Sequence, residues 1–377
     1  MPATAIIIYL AGLALGLTMV SFPALSGILK EMQGLSDAQY GAIFLPQVAF
    51  AVIGSLLSGS LAHRLGLARL TALGLLVTAL SQLCLLAGGA INYTLLLLGT
   101  TFMGLGFGLL SAPINSYPAW FFPRLRGSAL VAMHTLIGLG LALGPIVLVQ
   151  AQQWGDWQAY PQLMLALNVL LAGLAAFLPA TSGTTASAQA AAPGPLWRNP
   201  AFAVFGAIAV LYAFAEGTFA NWAVIYLIDK QIDTAAAGYA LSAFWLALAV
   251  GRLGVTALVV HLSPLLIWRS LPLGMVAVFL ALPSVHDVTT GIGLFALAGL
   301  ACSAVFPLTI ELASQRFPTY GAQVGALMTA ALMLGVGLGS YTIGLLRELT
   351  TLEMLYAISA LYPATLWLLT WVAMPRR

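Results

Sequence analysis

Twelve stretches of this chain are each long and apolar enough to cross a lipid bilayer, and nothing else in the sequence restricts its fold as much. A helix that spans the hydrocarbon core needs about 20 largely apolar residues. Runs of that kind are centred near Gly16, Val52, Thr78, Gly104, Leu139, Leu170, Phe214, Leu248, Val276, Leu300, Leu334 and Leu361. Hydrocarbon offers no hydrogen-bond partner, so each run must satisfy its own backbone, and separate long runs do so as α-helices. The short alternating segments of a membrane-spanning barrel are absent. Composition agrees: 61% of residues are hydrophobic and 6% charged, against roughly 25% charged in a soluble domain. The first run, from about Thr4 to Leu29, exceeds the roughly 7–15 residues of a signal-peptide core and lacks a basic leader, so it reads as a retained span. The expected fold is an all-α polytopic membrane protein of twelve transmembrane helices.

The charges between the runs sort by side. One set of turns and ends holds Arg64, Arg69, Arg124, Arg126, Arg198, Arg252, Arg269, Arg316, Arg376 and Arg377, with Glu311 as its single acid. The other set holds Lys30, Lys230 and Arg347 against Glu31, Asp37, Asp156, Asp229, Asp233, Asp287, Glu348 and Glu353. Basic connections stay in the cytoplasm. Both termini are therefore expected inside, which an even number of spans also requires, in the cell (inner) membrane. The longest connection, 181-TSGTTASAQAAAPGPLWRNP-200, is small, polar and rich in Pro and Gly, the composition of a flexible linker. It divides the chain into a six-helix half over 1–180, a cytoplasmic linker over 181–199 and a second half over 200–377.

The halves share a pattern. Aligning Phe122-Pro123 with Phe317-Pro318 brings Gly104 onto Gly299, Gly140 onto Gly335 and Gly144 onto Gly339. Glycines recur in membrane helices because they allow close approach, yet three matches at one offset suggest a duplication. Two such halves suggest rocking around a central site.

Twelve spans, a central linker and arginine-bearing inner turns resemble the major facilitator superfamily. The turn 59-GSLAHRLGLARL-70 is similar to that superfamily's Gly-x-Leu-Ala-Asp-Arg-x-Gly-Arg signature at Gly59, Leu61, Ala62, Arg64 and Gly66. His63 stands at the Asp position and Leu67-Ala68 at the basic pair. The run 138-GLGLALGP-145 resembles the superfamily's Gly-Pro-ended fifth-span motif. Within the superfamily, 104-GLGFGLLSAPINSY-117, 215-AEGTFANW-222, 244-FWLALAVGRL-253 and 299-GLACSAVFP-307 are nearest in appearance to the fucose/galactose-type proton symporters. Ser111 and Thr100 replace an acid and an arginine carried by relatives, and 12-GLALGLTMVSFPALSG-27 lacks an acid some members have.

Glu216 lies in the middle of the seventh run, where an acid costs about 2.5–3.5 kcal/mol on insertion scales. It is either a carboxyl that orients helices or a proton site facing a wet cavity. An acid that meets dry and wet surroundings in turn changes its proton affinity, which suits proton coupling. Tyr212 lies one turn earlier on the same face. Tyr212, Asn221, Trp245, Asn115 and Gln47 are the candidate substrate contacts, although bridging between helices is the favoured reading of Asn115, Gln47 and Gln82, and aromatic packing that of Trp245. Trp222, toward the outer end of its run, reads as an interfacial anchor. His134 reads as a helix contact. Arg252 lies about 21 Å along its run, where its side chain can snorkel. By resemblance, Arg252 or Arg316 would pair with Glu311 in a cytoplasmic gate that also includes Arg64; a plain topological role for the arginines is the alternative.

No phosphate-binding loop, no metal-ligand cluster and no nucleophile–base pair is recognisable, so neither an enzyme nor a cofactor is expected. Basic residues confined to membrane-edge turns leave no nucleic-acid footprint. The expected partners are a small-molecule substrate, protons and membrane lipid, and the chain is expected to work as a monomer. The function expected is secondary active transport of a small organic solute, sugar-like or a metabolite, by alternating access with proton coupling. Proton-coupled export of lipophilic compounds or drugs is the alternative.

Overall fold

The computed structural model describes residues 3–88, 92–179 and 196–375. Those residues are helical almost throughout, with no strand among them. Among the described residues, twelve helices are long and apolar enough to cross a membrane: Thr4–Ala24, Asp37–Leu65, Leu67–Gly88, Tyr93–Phe121, Arg126–Trp154, Ala159–Phe177, Pro200–Asp229, Thr234–Leu258, Pro264–Ser284, Val288–Arg316, Gln323–Leu346 and Leu352–Ala373. They are called spans one to twelve, and each expected centre falls inside one of them. The chain is a multi-pass membrane protein.

Local chemistry sets the helix ends. Asn92, Asn199, Asp233, Ser263, Asp287 and Thr351 each accept a backbone N–H of the first turn they precede, which pairs one of the orphan donors at a helix start. Pro200 and Pro264 follow two of these caps, at a position where a missing N–H is harmless. Span two stops at Gly66, whose φ of +80° suits glycine best.

The chain divides into two compact units, Met1–Leu35 with Ile43–Ala188, and Ser36–Ala42 with Gln189–Arg377. The stretch Ser36–Ala42 thus precedes the linker in sequence but packs within the second unit. Most of the expected linker lies outside the described residues.

In the first unit span one packs on span five, span two on span four, and span three on spans four and six. In the second unit span seven packs on span eleven, span eight on span ten, and span nine on spans ten and twelve. The pairings repeat at a shift of six. The glycines of the sequence repeat sit at these seams. A Cβ on Gly104 would fall 1.9 Å from the carbonyl oxygen of Gln47 in span two, and one on Gly299 would fall 2.0 Å from that of Phe244 in span eight. Gly140 likewise abuts Leu13 in span one, and Gly335 abuts Val210 in span seven. Where little hydrophobic force acts between helices, close backbone approach is a main source of cohesion, so the same seam was kept in both units.

The interior of the first unit carries polar bridges. Ser21 Oγ donates to Gln82 Oε1 at 3.2 Å, tying span one to span three, and Asn168 Nδ2 donates to Thr18 Oγ1 at 2.9 Å, tying span six to span one. All four residues are fully buried, so Gln82 takes the helix-bridging role.

Span four and span ten, equivalent in the repeat, differ. Span four is one helix over Tyr93–Phe121 despite Pro113 and, near its end, Pro118 within it; Pro113 is the counterpart of Pro307 in span ten. Span ten is two helices, Val288–Cys302 and Val305–Arg316, with Pro307 just past the break. A proline removes the N–H that would reach the carbonyl four residues back and crowds that carbonyl. The freed oxygens are those of Leu109 and Ser303. Ser58 Oγ of span two donates to Leu109 O at 2.7 Å and accepts from Ala112 N at 3.1 Å. Arg252 Nε of span eight donates to Ser303 O at 3.0 Å.

Candidate functional site

Span seven carries Glu216 near its middle, with Ala215, Gly217, Thr218 and Phe219 buried around it. Glu216 is 9% exposed and Tyr212 1%. Residues four apart face the same side of a helix, and the Tyr212 hydroxyl lies 3.0 Å from Glu216 Oε1. The same hydroxyl lies 3.1 Å from Cys302 O, the last carbonyl before the break in span ten. Its ring stacks on Phe306, just beyond the break, at 6.1 Å. Tyr212 therefore touches both pieces of span ten and the carboxyl.

Arg252 acts electrostatically on Glu216, yet the two form no ion pair. Its Nε is occupied by the carbonyl that Pro307 frees. The arrangement is a carboxyl held by a phenol, with a guanidinium in electrostatic reach and two side chains clasping the carbonyls of an interrupted helix. Chemically it can hold or release a proton at Glu216. Among the described residues no group of three or more His, Cys, Asp or Glu could bind a metal ion.

Other expected site residues fall elsewhere. Asn221 sits farther along span seven, toward its Asp229 end, and its Nδ2 donates to Ser340 Oγ of span eleven at 2.7 Å. Trp245 is half-buried on span eight, set edge-on against Phe244 at 5.0 Å, with its Nε1 unpaired. In the first unit, Gln47 is half-buried with Oε1 unpaired. Asn115 is exposed within span four, where its Nδ2 donates to Ser111 O and its Oδ1 meets His134 Nε2 at 3.4 Å. His134 thus contacts a neighbouring helix, as its position suggested. Arg64 is exposed at the end of span two.

Two expectations are corrected. Neither Arg252 nor Arg316 pairs with Glu311. Arg252 is taken by Ser303 O, and Arg316 Nη1 donates to Ala373 O at the end of span twelve, 2.6 Å away. Glu311 accepts instead from Gln315 Nε2 at 3.1 Å. Free carbonyls at helix breaks and C-termini attract cations, and both arginines found one. Trp222 is not an interfacial anchor. It is fully buried, with Tyr40 edge-on against it at 5.1 Å.

The covering of Trp222 was not visible in the sequence. Tyr40 donates to the backbone oxygen of Asn221 at 2.7 Å. Nearby, Arg347 Nη2 pairs with Asp229 Oδ2 at 2.7 Å, and its Nε lies 3.5 Å from Asp37 Oδ2. The charges of that end were legible; their meeting in one cluster was not.

Residues 4–340 match the model of the Major Facilitator Superfamily. An uncharacterized transporter of Sinorhizobium fredii is 24% identical over 368 residues, covering 94% of this chain and 93% of that one. The fold is similar to a crystal structure of the nucleoside transporter NupG, with a TM-score of 0.84 at 14% identity over 98% of this chain and 100% of that one. A bacterial homologue of the human lysosomal transporter Spinster superposes with a TM-score of 0.79 at 15% identity, covering 98% and 96%. The E. coli fucose:proton symporter FucP gives 0.62 at 17% identity, covering 99% and 100%.

Proposed function

The chain belongs to the major facilitator superfamily, and from that premise we propose that it is a secondary active transporter of a small organic solute, coupled to protons through Glu216. The solute is sugar-like or a metabolite, and transport runs by alternating access. The observation that carries this reading is the buried Glu216 carboxyl, held by Tyr212 rather than neutralised in an ion pair. An intramembrane acid is retained at a substantial cost, and one not locked in an ion pair suits a group that must take up and give back a proton. Asn221, Trp245, Asn115 and Gln47 are polar or aromatic groups in spans, two of them with an unpaired buried atom, and are proposed to contact the solute. The fold relatives named for nucleoside and fucose:proton transport make those solutes the first probes. The arginine-rich ends are assigned to the cytoplasm, with both termini there.

The test uses proteoliposomes loaded at one pH and diluted into another, with radiolabelled uridine, L-fucose or any solute that raises the melting temperature of the purified protein. Glu216→Gln should exchange bound solute at near wild-type rate and lose pH-driven accumulation. Unchanged accumulation in the variant removes Glu216 from coupling.

A second reading has its own support. The second unit carries an apolar groove of ≈ 600 Å³ lined by Leu262, Leu266, Gly274, Leu297, Leu300 and Ala301 among others, which suits export of lipophilic compounds. Altered drug susceptibility in cells overproducing the protein would favour that reading; a solute symporter leaves susceptibility unchanged.

A further inference from the structure

We infer that Tyr212 is a positioning residue that passes the protonation state of Glu216 to the break in span ten. The inference rests on Glu216 being the proton site and adds the element that responds to it.

The argument begins with hydrogen counting. The Tyr212 hydroxyl owns a single proton and faces two acceptors, Glu216 Oε1 at 3.0 Å and Cys302 O at 3.1 Å. When Glu216 is ionised, its carboxylate is the stronger acceptor, because hydrogen bonds to charged groups are roughly twice as strong as neutral ones. Tyr212 then donates to Glu216, and the Cys302 carbonyl loses that donor. When Glu216 is protonated, the carboxylic acid donates to Tyr212 Oη, and Tyr212 donates to Cys302 O. Every polar group in that row is then paired, Glu216 to Tyr212 to Cys302.

The acceptor that gains and loses this donor sits at the end of the first piece of span ten, residues Val288–Cys302. Pro307 has already deprived the next carbonyl, Ser303 O, of its backbone partner, and Arg252 Nε holds that oxygen. The break is therefore pinned at two points, one permanent and charged, the other dependent on a proton. The Tyr212 ring stacked on Phe306 adds a contact on the far side of the break. Losing the proton from Glu216 frees the Tyr212 pin on Cys302 O while leaving the Arg252 pin on Ser303 O and the ring contact in place, so the two pieces of span ten are expected to swing about Ser303–Ala304 rather than to unfold. The titratable and charged groups facing Glu216 are Tyr212 on its own span, Arg252 on span eight and the Cys302 thiol on span ten.

Cys302 is itself a native reporter, fully buried at the break. In a Cys84→Ser background, the rate of Cys302 labelling by N-ethylmaleimide is measured at about pH 5 and about pH 9. Glu216→Gln supplies the reference, since its amide donates to Tyr212 at either pH; the carboxylate charge it removes disfavours a thiolate nearby, so in wild type that charge works against the expected rise in labelling. The wild-type rate should equal that reference in acid and exceed it about five- to tenfold in base. Tyr212→Phe should label fast relative to the reference at both, with no separate response to Glu216. Infrared difference spectra of wild type against Glu216→Gln, read at the carboxyl C=O stretch, report the proton on Glu216 independently. If Glu216 titrates yet wild type and Glu216→Gln label alike at both pH values, the link to span ten is overturned and the proton site stands. If Tyr212→Phe keeps the wild-type pH response, Tyr212 is not the link. If no carboxyl band titrates, proton site and link fall together.

Discussion

Spans four and ten begin as copies and end as different devices. Each is capped by the residue at the same place in the repeat, Asn92 or Asp287. Each is pressed through a glycine, Gly104 or Gly299, onto the second span of its own unit. Each then meets a proline that frees a carbonyl, and each borrows a donor from that second span. The donors are Ser58 and Arg252. A serine hydroxyl can donate and accept at once, so Ser58 patches both the carbonyl of Leu109 and the N–H of Ala112, and span four stays continuous. An arginine only donates, so one carbonyl is served and span ten remains in two pieces. The residues between glycine and proline also differ in number, since Pro113 lies nine beyond Gly104 and Pro307 eight beyond Gly299. That loss turns the second proline by one helical position, about 100°. The difference teaches that a proline does not decide whether a membrane helix breaks. At Pro113 and Pro307 the outcome goes with the neighbour that answers the freed carbonyl.

The shared part of the comparison breaks hardest. Gly104→Ala and Gly299→Ala each push a methyl group into a carbonyl across the seam and should destabilise by about 3 kcal/mol, similarly in the two units. Unfolding free energies in mixed micelles check this, and a large inequality would show that the seams are not equivalent. The divergent part comes next. Arg252→Met removes a charged donor from Ser303 O and should cost about 2 kcal/mol. Pro307→Ala restores a backbone donor to that oxygen, so the double variant should be more stable than the sum of the two single effects by about 1 kcal/mol. Strict additivity would mean that Arg252 is not there for the carbonyl. Ser58→Ala should cost less, about 1 kcal/mol, with no effect on any pH response. The smallest effect is at the caps. Hydrogen bonds from the Thr290 side chain and backbone hold the exposed Asp287 carboxyl below the usual carboxylate range. A carboxyl lowered in this way stabilises the fold above its unfolded pKa of about 4, and that contribution is lost as pH falls through the folded value. Acidification should therefore loosen the first turn of span ten and not that of span four, where the Asn92 cap does not titrate. Hydrogen exchange at Thr290 and Thr94 reads the contrast, and Asp287→Asn should abolish it.

Much of this was legible in the sequence for simple reasons. Span length is a count of apolar residues, and a carboxylate in such a run stands out. The Tyr212–Glu216 contact follows from a spacing of four. The seam glycines were visible as a repeat because close approach leaves little choice of residue. What escaped was anything settled by a partner far along the chain. Pro113 and Pro307 look alike in their own segments, and only the identities of Ser58 and Arg252, more than 50 residues away, separate them. Arg252 and Arg316 were expected to seek the acid Glu311, but carbonyls without partners competed for them. Trp222 looked like an interfacial residue because it stands near the end of its run, and nothing nearby announced that Tyr40 would cover it.

That covering has a practical consequence. The seven residues Ser36–Ala42 travel with the first half of the gene product and are spent inside the second. Severing the polypeptide in its central connector would therefore not yield two self-sufficient pieces: the C-terminal fragment would be born with a bare indole and an arginine lacking one of its two aspartates. Adding a peptide of that sequence in trans should quiet both, as a missing tile restores a mosaic.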